Sequence, residues 1–348
     1  MKTLTDLSPA EVREAFKESG FPAFRAGQVL KWIYENSVTD FRNMSNLSKS
    51  LREELAAKWQ IDSLREVKRN SASDGTIKFG FALHDTHIIE SVLIPMENGK
   101  QTFCISSQVG CAMGCKFCNT ARMGMVRNLS PSEIVCQVLY LYREAGLREQ
   151  HRSFNVVFMG MGEPLANLDN VLKAMRILID KDGMNLSRRR ITVSTCGIVA
   201  GIRRLAREEY PPRLAISLNA ADDETRLKIM PVTEGNPLSE LLDQLRRYPL
   251  PQRERFTFEY VLIRDVNDRD KDAASLSRLL NKLRYKINLI PFNPFPGSDY
   301  LAPDPVRIEA FQQILFSKNI TATIRKSKGQ DIQGACGQLA VSVEKELG

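Results

Sequence analysis

Three cysteines, Cys111, Cys115 and Cys118, fall in the run Gly110-Cys-Ala-Met-Gly-Cys-Lys-Phe-Cys118, a C-x3-C-x2-C spacing. A 4Fe–4S cluster normally takes four thiolates, one per iron. Three thiolates packed this closely leave one iron open to bind another ligand. The bland alternative is structural zinc, which takes four ligands, usually as paired C-x2-C or C-x2-C with H-x3–5-H. The chain has only three His. His151 alone follows the cysteines, and the His84/His87 pair lies upstream at a tighter spacing. A disulfide framework fits less well, because seven Cys in 348 residues is sparse and odd, and no secretory signal opens the sequence.

Further polar groups recur where strands are expected to end. Gly160-Met-Gly-Glu-Pro164 combines a Gly-rich turn with one carboxylate, which suits an ammonium group. Ser194-Thr-Cys-Gly197, Ser217-Leu218-Asn219 and Asn293-Pro294 stand at three other strand ends. Taken singly each reads as a loop or cap residue. Grouped around one cysteine loop, they are what a nucleoside-bearing cofactor requires.

The elements that must position these residues are legible from periodicity. Residues 1 to about 60 read as helices: Pro9–Lys17 behind a Ser8 cap, Ala26–Asn36 with Val29, Trp32 and Ile33 on one stripe, and Lys49–Trp59. Strands follow at Thr76–Leu83 and His87–Pro95, turned by His84, Asp85 and Thr86. Six strands then alternate with helices: Thr102–Ser106, Phe154–Met159, Arg190–Ser194, Leu214–Leu218, Phe256–Ile263 and Ile287–Phe292. The intervening helices are expected at Ser130–Ala145, Asp169–Asp180, Val199–Arg207, Leu238–Arg247, Lys271–Leu283 and Pro305–Ser317. Such an α/β alternation predicts a parallel sheet with right-handed crossovers. Six units fall short of a closed eight-stranded barrel, so the expectation is a partial, open (β/α)6 barrel with ligands at the C-terminal strand ends. The division expected is a helical accessory domain at 1–60, a small β segment at 61–97 and a catalytic domain at 98–348.

Composition is that of a globular protein, 43% hydrophobic and 26% charged. No apolar run reaches the roughly 18 residues of a membrane span, and the sparse, odd cysteines without a secretory signal set the expectation of a reducing, cytoplasmic location. The net charge of +8 suits a polyanionic partner. Arg188-Arg189-Arg190, Arg122 with Arg127, and Arg325-Lys326 with Lys328 are candidates to neutralise RNA phosphates near the chemistry, against the alternative of solvated basic faces.

Longer motifs carry a resemblance. Cys104-Ile-Ser-Ser-Gln-Val-Gly-Cys-Ala-Met-Gly-Cys-Lys-Phe-Cys118 with Arg127-Asn-Leu129, Gly160-Met-Gly-Glu-Pro164, Asn288-Leu-Ile-Pro-Phe-Asn-Pro-Phe-Pro-Gly297 and Gly334-Ala-Cys-Gly-Gln-Leu339 resemble the RlmN/Cfr family of radical S-adenosylmethionine (SAM) RNA adenine methyltransferases. The match to the family extends to the headpiece, in Phe24-Arg-Ala-Gly-Gln and Leu47-Ser-Lys, and Asn-Pro-Phe-Pro-Gly resembles the RlmN branch better than Cfr. The resemblance implies a radical SAM barrel, one 4Fe–4S cluster on Cys111, Cys115 and Cys118, and SAM. It implies methylation of C2 of adenosine 2503 in 23S rRNA and of adenosine 37 in certain tRNAs, where Cfr methylates C8 of the same rRNA base. By position, Cys336 would accept the methyl group, Glu90 the C2 proton, and Cys104 would resolve the adduct as a transient disulfide. Gly162, Glu163, Ser194, Ser217, Leu218, Asn219 and Asn293 match SAM contacts. An electron donor such as flavodoxin or ferredoxin and a monomeric state are also implied. Departures from the pattern are Asn119-Thr-Ala121 after the third cluster cysteine, Asn219 in place of His, and Cys196 in place of a smaller residue. Without the resemblance, Glu90 reads as an exposed strand carboxylate, Cys104 as a buried strand thiol, and Cys136 as core. A radical SAM enzyme with a non-RNA substrate, or an iron–sulfur RNA-binding module, are the alternatives.

Overall fold

The N-terminal sixty residues fold around one aromatic cluster, because three short amphipathic helices cannot bury their stripes alone. A computed structural model describes residues 2–97, 99–150 and 153–340, so His151 lies outside the described residues. In this module β1 (Lys2–Thr3) is followed by α1 (Pro9–Glu18), α2 (Ala23–Tyr34), α3 (Lys49–Lys58) and β2 (Trp59–Gln60). Ser8 and Glu11 form a reciprocal capping box on α1, with Pro9 in its first turn. Parallel pairing of β1 with β2 closes the module end to end. Phe16 stacks on Trp59 with ring centroids 5.5 Å apart. Val29, Leu30 and Ile33 form the buried stripe of α2. Trp32, expected on that stripe, lies at its margin and donates its indole N–H to Asn46 at 2.6 Å.

Next come β3 (Arg65–Ser71), β4 (Ile77–Ala82), β5 (Ile88–Pro95) and β6 (Gln101–Cys104). The hairpin of β7 (Gln108–Gly110) and β8 (Met125–Asn128) encloses the cysteine loop and the short α4 (Asn119–Arg122). Helices α5 (Pro131–Glu144) and α6 (Leu147–Gln150) lead to the alternating half. It runs β9 (Phe154–Phe158), α7 (Leu168–Ile179), β10 (Ile191–Thr195), α8 (Val199–Leu205) and β11 (Arg213–Ser217). Then follow α9 (Asp223–Ile229), α10 (Leu238–Arg246), β12 (Phe256–Leu262), α11 (Asp270–Leu279), β13 (Tyr285–Pro291), α12 (Pro305–Ser317) and β14 (Ala322–Ile324).

One ten-stranded sheet joins these in the order β14-β13-β12-β11-β10-β9-β6-β5-β4-β3. Strands β6 and β9 to β14 are parallel, and β5, β4 and β3 continue the sheet antiparallel. The stretch 61–97 therefore contributes three strands to the sheet that carries the barrel. The parallel part has seven strands where six were expected. The seventh, β14, is three residues long, too short for any hydrophobic period to register. Strand β3 went unread for another reason: Arg-Glu-Val-Lys-Arg-Asn-Ser is a charged edge strand, the composition that blocks further edge pairing.

Alternation divides the strands cleanly. On β12, Phe256, Phe258 and Tyr260 are buried on the helix side, while Glu259 and Val261 face a cleft inside the barrel. That inner face is where the polar residues collect.

Candidate functional site: a cysteine-lined cleft at the C-terminal strand ends

The cysteine loop is shaped by close backbone approaches. Gly110 has φ +74°, and a Cβ there would lie 1.9 Å from the Gly124 carbonyl oxygen. Only glycine lets the β7–β8 hairpin pinch shut at this point. Cys111 N–H donates to Gly124 at 2.8 Å, and Lys116 N–H donates to Ile229 at 3.0 Å, tying the loop to α9. Cys111, Cys115 and Cys118 are unbridged and line one cleft together. Among the described residues no three His, Cys, Asp and Glu are grouped to hold a single metal ion. A cluster makes a different demand, since its thiolates bind separate irons. Three free thiols facing one cleft fit that demand. Burial pushes Cys111 up to about 12 and raises Cys115 and Cys118, with the neighbouring thiols adding to the rise. Metal binding must therefore displace protons.

The Gly-rich turn after β9 lies against this loop. A Cβ on Gly160 would come 2.6 Å from the Ile105 oxygen, and one on Gly162, at φ +96°, 2.5 Å from Gln108 Cβ. Glu163 is buried, accepting hydrogen bonds from the backbone N–H of Leu165 at 2.9 Å and of Cys196 at 2.8 Å. Desolvation raises its pKa, and these donors oppose the rise. Gly162, Glu163, Ser194, Ser217 and Asn293 all line the cleft with the three cysteines and Cys336.

Leu218 and Asn219 do not line it. Leu218 is fully buried. Asn219 sits at φ +58°, a left-handed conformation that Asn tolerates. Its side chain accepts from Val261 N–H at 2.8 Å and points its amide at the Met230 sulfur. The residue turns the chain after β11.

Two cleft-side residues escaped the sequence reading. Glu259 accepts from Ser194 Oγ at 3.1 Å on one oxygen, and the other lies 3.6 Å from Arg325. Its signal was available: a lone carboxylate inside the apolar strand Phe-Thr-Phe-Glu-Tyr-Val-Leu. Arg226, fully buried on α9, donates to the carbonyls of Cys196 (2.5 Å), Leu218 (3.1 Å) and Ser217 (3.3 Å), clamping the ends of β10 and β11. No local pattern marks it.

Cys336 arrives from the far end of the chain on a loop fastened to both sides of the cleft. Asn293 Nδ2 donates to Cys336 O at 3.0 Å, and Gln338 Nε2 to Pro294 O at 2.7 Å. Asn119 N–H donates to Gly337 O at 2.7 Å, and Thr120 Oγ1 to Leu339 O at 2.5 Å. Cys336 also lines a smaller adjoining cavity, shared with Cys104, Met159 and Arg325. Burial pushes the Cys104 thiol up to about 12, Cys336 adds to the rise, and the Arg325 guanidinium opposes it. Cys136 is core, as expected, beside Thr5 and Ile61.

Glu90 is on β5, two residues from Val92, which pairs with Cys104 across the strands. Glu90 and Cys104 therefore share a sheet face. Glu90 lines neither cavity directly and is not the exposed carboxylate its strand suggested: it is 2% exposed. Its Oε1 meets Lys78 Nζ at 3.0 Å, and its Oε2 has no hydrogen-bond partner. Burial raises its pKa and Lys78 counters.

The basic clusters divide: Arg325 and Lys328 line the cavity of Cys104 and Cys336, near the chemistry as expected, and the others are placed differently. Arg127 is committed to Glu133, at 2.8 Å on both nitrogens, and to Asp85 at 2.6 Å. Arg188, Arg189 and Arg190 precede β10 and so stand at the N-terminal strand ends, away from the cleft. A strand's two ends are equally near its sequence, which is why adjacency misled.

Comparison with known proteins resolves the family. The model of the ribosomal RNA large subunit methyltransferase N-terminal domain matches residues 2–61, and that of the radical SAM superfamily matches residues 105–276. The dual-specificity RNA methyltransferase RlmN of Desulfotalea psychrophila is 49% identical over 343 residues, covering 97% of this chain and 94% of that protein. This chain belongs to the RlmN family. The RlmN of Campylobacter fetus is 43% identical with full coverage of both chains. The crystal structure of a radical SAM methyltransferase from Sphaerobacter thermophilus superposes with TM-score 0.93 at 44% identity, covering 97% of this chain and 99% of that one. No helix among the described residues is long and apolar enough to cross a membrane.

Proposed function

We propose that this member of the RlmN family methylates C2 of adenosine 2503 in 23S rRNA and of adenosine 37 in tRNA, through a methyl group carried on Cys336. Family membership carries the coarser statement, a SAM-dependent radical SAM RNA methyltransferase. The observation that supports the finer one is that Cys104 and Cys336 share one cavity beside the cleft lined by Cys111, Cys115 and Cys118. A single methyl displacement has no use for that second thiol pair.

C2 of adenine is an amidine carbon and not a nucleophile, so it does not attack a sulfonium methyl directly. A cluster and SAM bound by Cys111, Cys115, Cys118 and the Gly162–Glu163 turn would supply the methyl group and the one-electron activation the carbon needs. The residues of the chain do the rest. Cys336 sulfur, as thiolate, forms a bond to the methyl carbon as the sulfonium–methyl bond breaks, giving S-methylcysteine. Joining this carbon to C2 costs the S-methyl group one hydrogen atom and the adduct one electron, which the bound SAM and cluster would take up; Glu90, on the sheet face it shares with Cys104 and with Oε2 unpartnered, takes the C2 proton. Cys104 thiolate then attacks Cys336 sulfur. The S–S bond forms, the S–C bond breaks, and the released carbon takes up a proton as a methyl group on the base. An outside thiol reductant restores both cysteines. Arg325, facing both sulfurs, favours the attacking thiolate.

The test is mass spectrometry of rRNA and tRNA adenosines with and without the gene. Loss of 2-methyladenosine at both positions, restored by the wild-type gene, is expected. Loss of 8-methyladenosine instead, or no change in either RNA, would overturn the reading.

A further inference from the structure

The turns that lead into β10 to β14 occupy residues 187–190, 206–213, 251–255, 281–286 and 317–321, and they converge at the N-terminal end of the barrel. They hold eleven Lys and Arg against three Glu, an excess equal to the +8 of the entire chain, so the remaining residues sum to neutrality. Two of the three acids are occupied. Glu254 meets Arg188 at 3.3 Å and Arg189 at 3.7 Å, and Glu208 meets Arg176 at 2.6 Å. Arg213, Arg253, Arg255, Lys282 and Lys318 are exposed. A surface groove runs between the β12, β13 and β14 turns, lined by Arg253, Arg255, Lys282, Arg284 and Lys318, with Asn281 and Asn319 as neutral hydrogen-bonding groups. The catalytic cleft is at the other end of strands five to seven residues long, roughly 15–25 Å away at about 3.3 Å per residue.

We propose that this basic rim is a second RNA-contacting surface, which grips the phosphate backbone of a segment distant from the target adenosine in the same folded RNA. The proposal rests on RNA as the substrate. Eight of the eleven cations are Arg, whose planar fork matches phosphate oxygens two at a time. An acidic electron-donor protein fits the place poorly, because it must approach the cysteine loop at the opposite end. A contact made only of phosphates gives affinity and orientation without reading sequence. It is reached only by an RNA large enough to extend past the barrel.

The experiment uses the full-length protein and a triple variant, Arg253→Glu/Arg255→Glu/Lys282→Glu, with Arg253→Gln/Arg255→Gln/Lys282→Gln as the milder change. Dissociation constants are measured against salt for a folded multi-stem 23S rRNA fragment and for a short hairpin holding the target adenosine. For the fragment, the Glu variant should bind at least tenfold more weakly at 0.1 M salt. The slope of log K against log salt should fall by about 1–3, since each phosphate contact contributes about 0.9. The Gln variant should show a smaller loss in the same direction. Hairpin binding and hairpin methylation should not change. Equal losses on both RNAs, or none on the fragment, would overturn the rim contact. A wild-type protein that binds the fragment yet never methylates the hairpin would count against the catalytic reading instead.

Discussion

Two loops bring thiols to the same cleft by opposite means. Cys111, Cys115 and Cys118 lie within eight residues, and their loop is closed by its own hairpin through Gly110 and Gly124. Cys336 comes from a segment more than two hundred residues later, held by Asn119, Thr120, Asn293 and Gln338. The first loop carries its geometry locally, so sequence spacing nearly specifies the chemistry. The second has no geometry apart from its partners. A cysteine there reads as an ordinary loop thiol until the fold shows what it faces. The proposed division of labour follows the same line: the local loop for the cluster, the assembled loop for the covalent step.

The strongest way to break the comparison is to remove each thiol set. Replacing Cys111, Cys115 and Cys118 together with Ala should abolish bound iron and sulfide and all SAM cleavage, leaving Cys336 in place. A triple variant that retained iron and sulfide would overturn the ligand assignment. Cys336→Ala should keep its iron yet neither acquire a methyl group nor modify RNA. Cys104→Ala should still accept methyl but lack the thiolate that frees the product. Protein should then remain covalently bound to RNA, seen as a shifted band on denaturing gels with labelled RNA. Free methylated RNA at wild-type yield from that variant would sink the two-cysteine scheme.

The comparison also explains what was legible. The barrel strands and α12 could be read from periodicity, and the cleft residues Glu163, Ser194, Ser217 and Asn293 from their places at strand ends. Leu218 and Asn219 were chosen by the same positional logic. Leu218 points to the opposite side from Ser217 by strand alternation, and the Asn219 side chain is engaged by Val261 N–H and the Met230 sulfur where the chain turns through a positive φ. Glu90 could not be recognised as buried, since its neutralising partner Lys78 lies on a neighbouring strand. Strand β14 and helix α9 are too short to show a period. The basic rim is invisible to local reading because it is summed from five separate turns.

A smaller change tests whether the assembled loop depends on its seat. Gly337 has φ +81°, and a Cβ there would lie 2.9 Å from the Phe117 carbonyl oxygen. Gly337→Ala should therefore shift the Cys336 loop off the cysteine loop at a cost of about 1–3 kcal/mol, the usual range for such backbone strain. Methyl transfer to Cys336 should slow about tenfold or more, since 1.4 kcal/mol is a factor of ten. Iron content should fall less than methyl acceptance, because Gly110 and Gly124 close the ligand hairpin from within and only its Phe117–Asn119 end touches the Cys336 loop. Parallel loss of iron and methyl acceptance would show that the loops are one unit.

The smallest expected effect concerns the ion pair beneath the assembled loop. Lys78 Nζ reaches both Glu90 Oε1 at 3.0 Å and Gln333 O at 3.3 Å, so it ties the carboxylate to the segment bearing Cys336. Burial raises the Glu90 pKa above 4.5, and Lys78 is the largest opposing influence. In Lys78→Met the opposition is gone, and the folded-state pKa should rise further. Between the unfolded value and this higher folded value, the native state binds more protons than the unfolded state, so stability falls as pH rises. Thermal melts across pH 5–8 should show Lys78→Met losing stability relative to wild type as pH increases, while Lys78→Arg follows wild type more closely. If Glu90 is the base that accepts the C2 proton, the acid limb of the methylation rate should move to higher pH in Lys78→Met, because the carboxylate form appears later. A pH-independent gap in melting temperature between Lys78→Met and wild type would mean that Lys78 contributes packing alone and that Glu90 does not titrate with it.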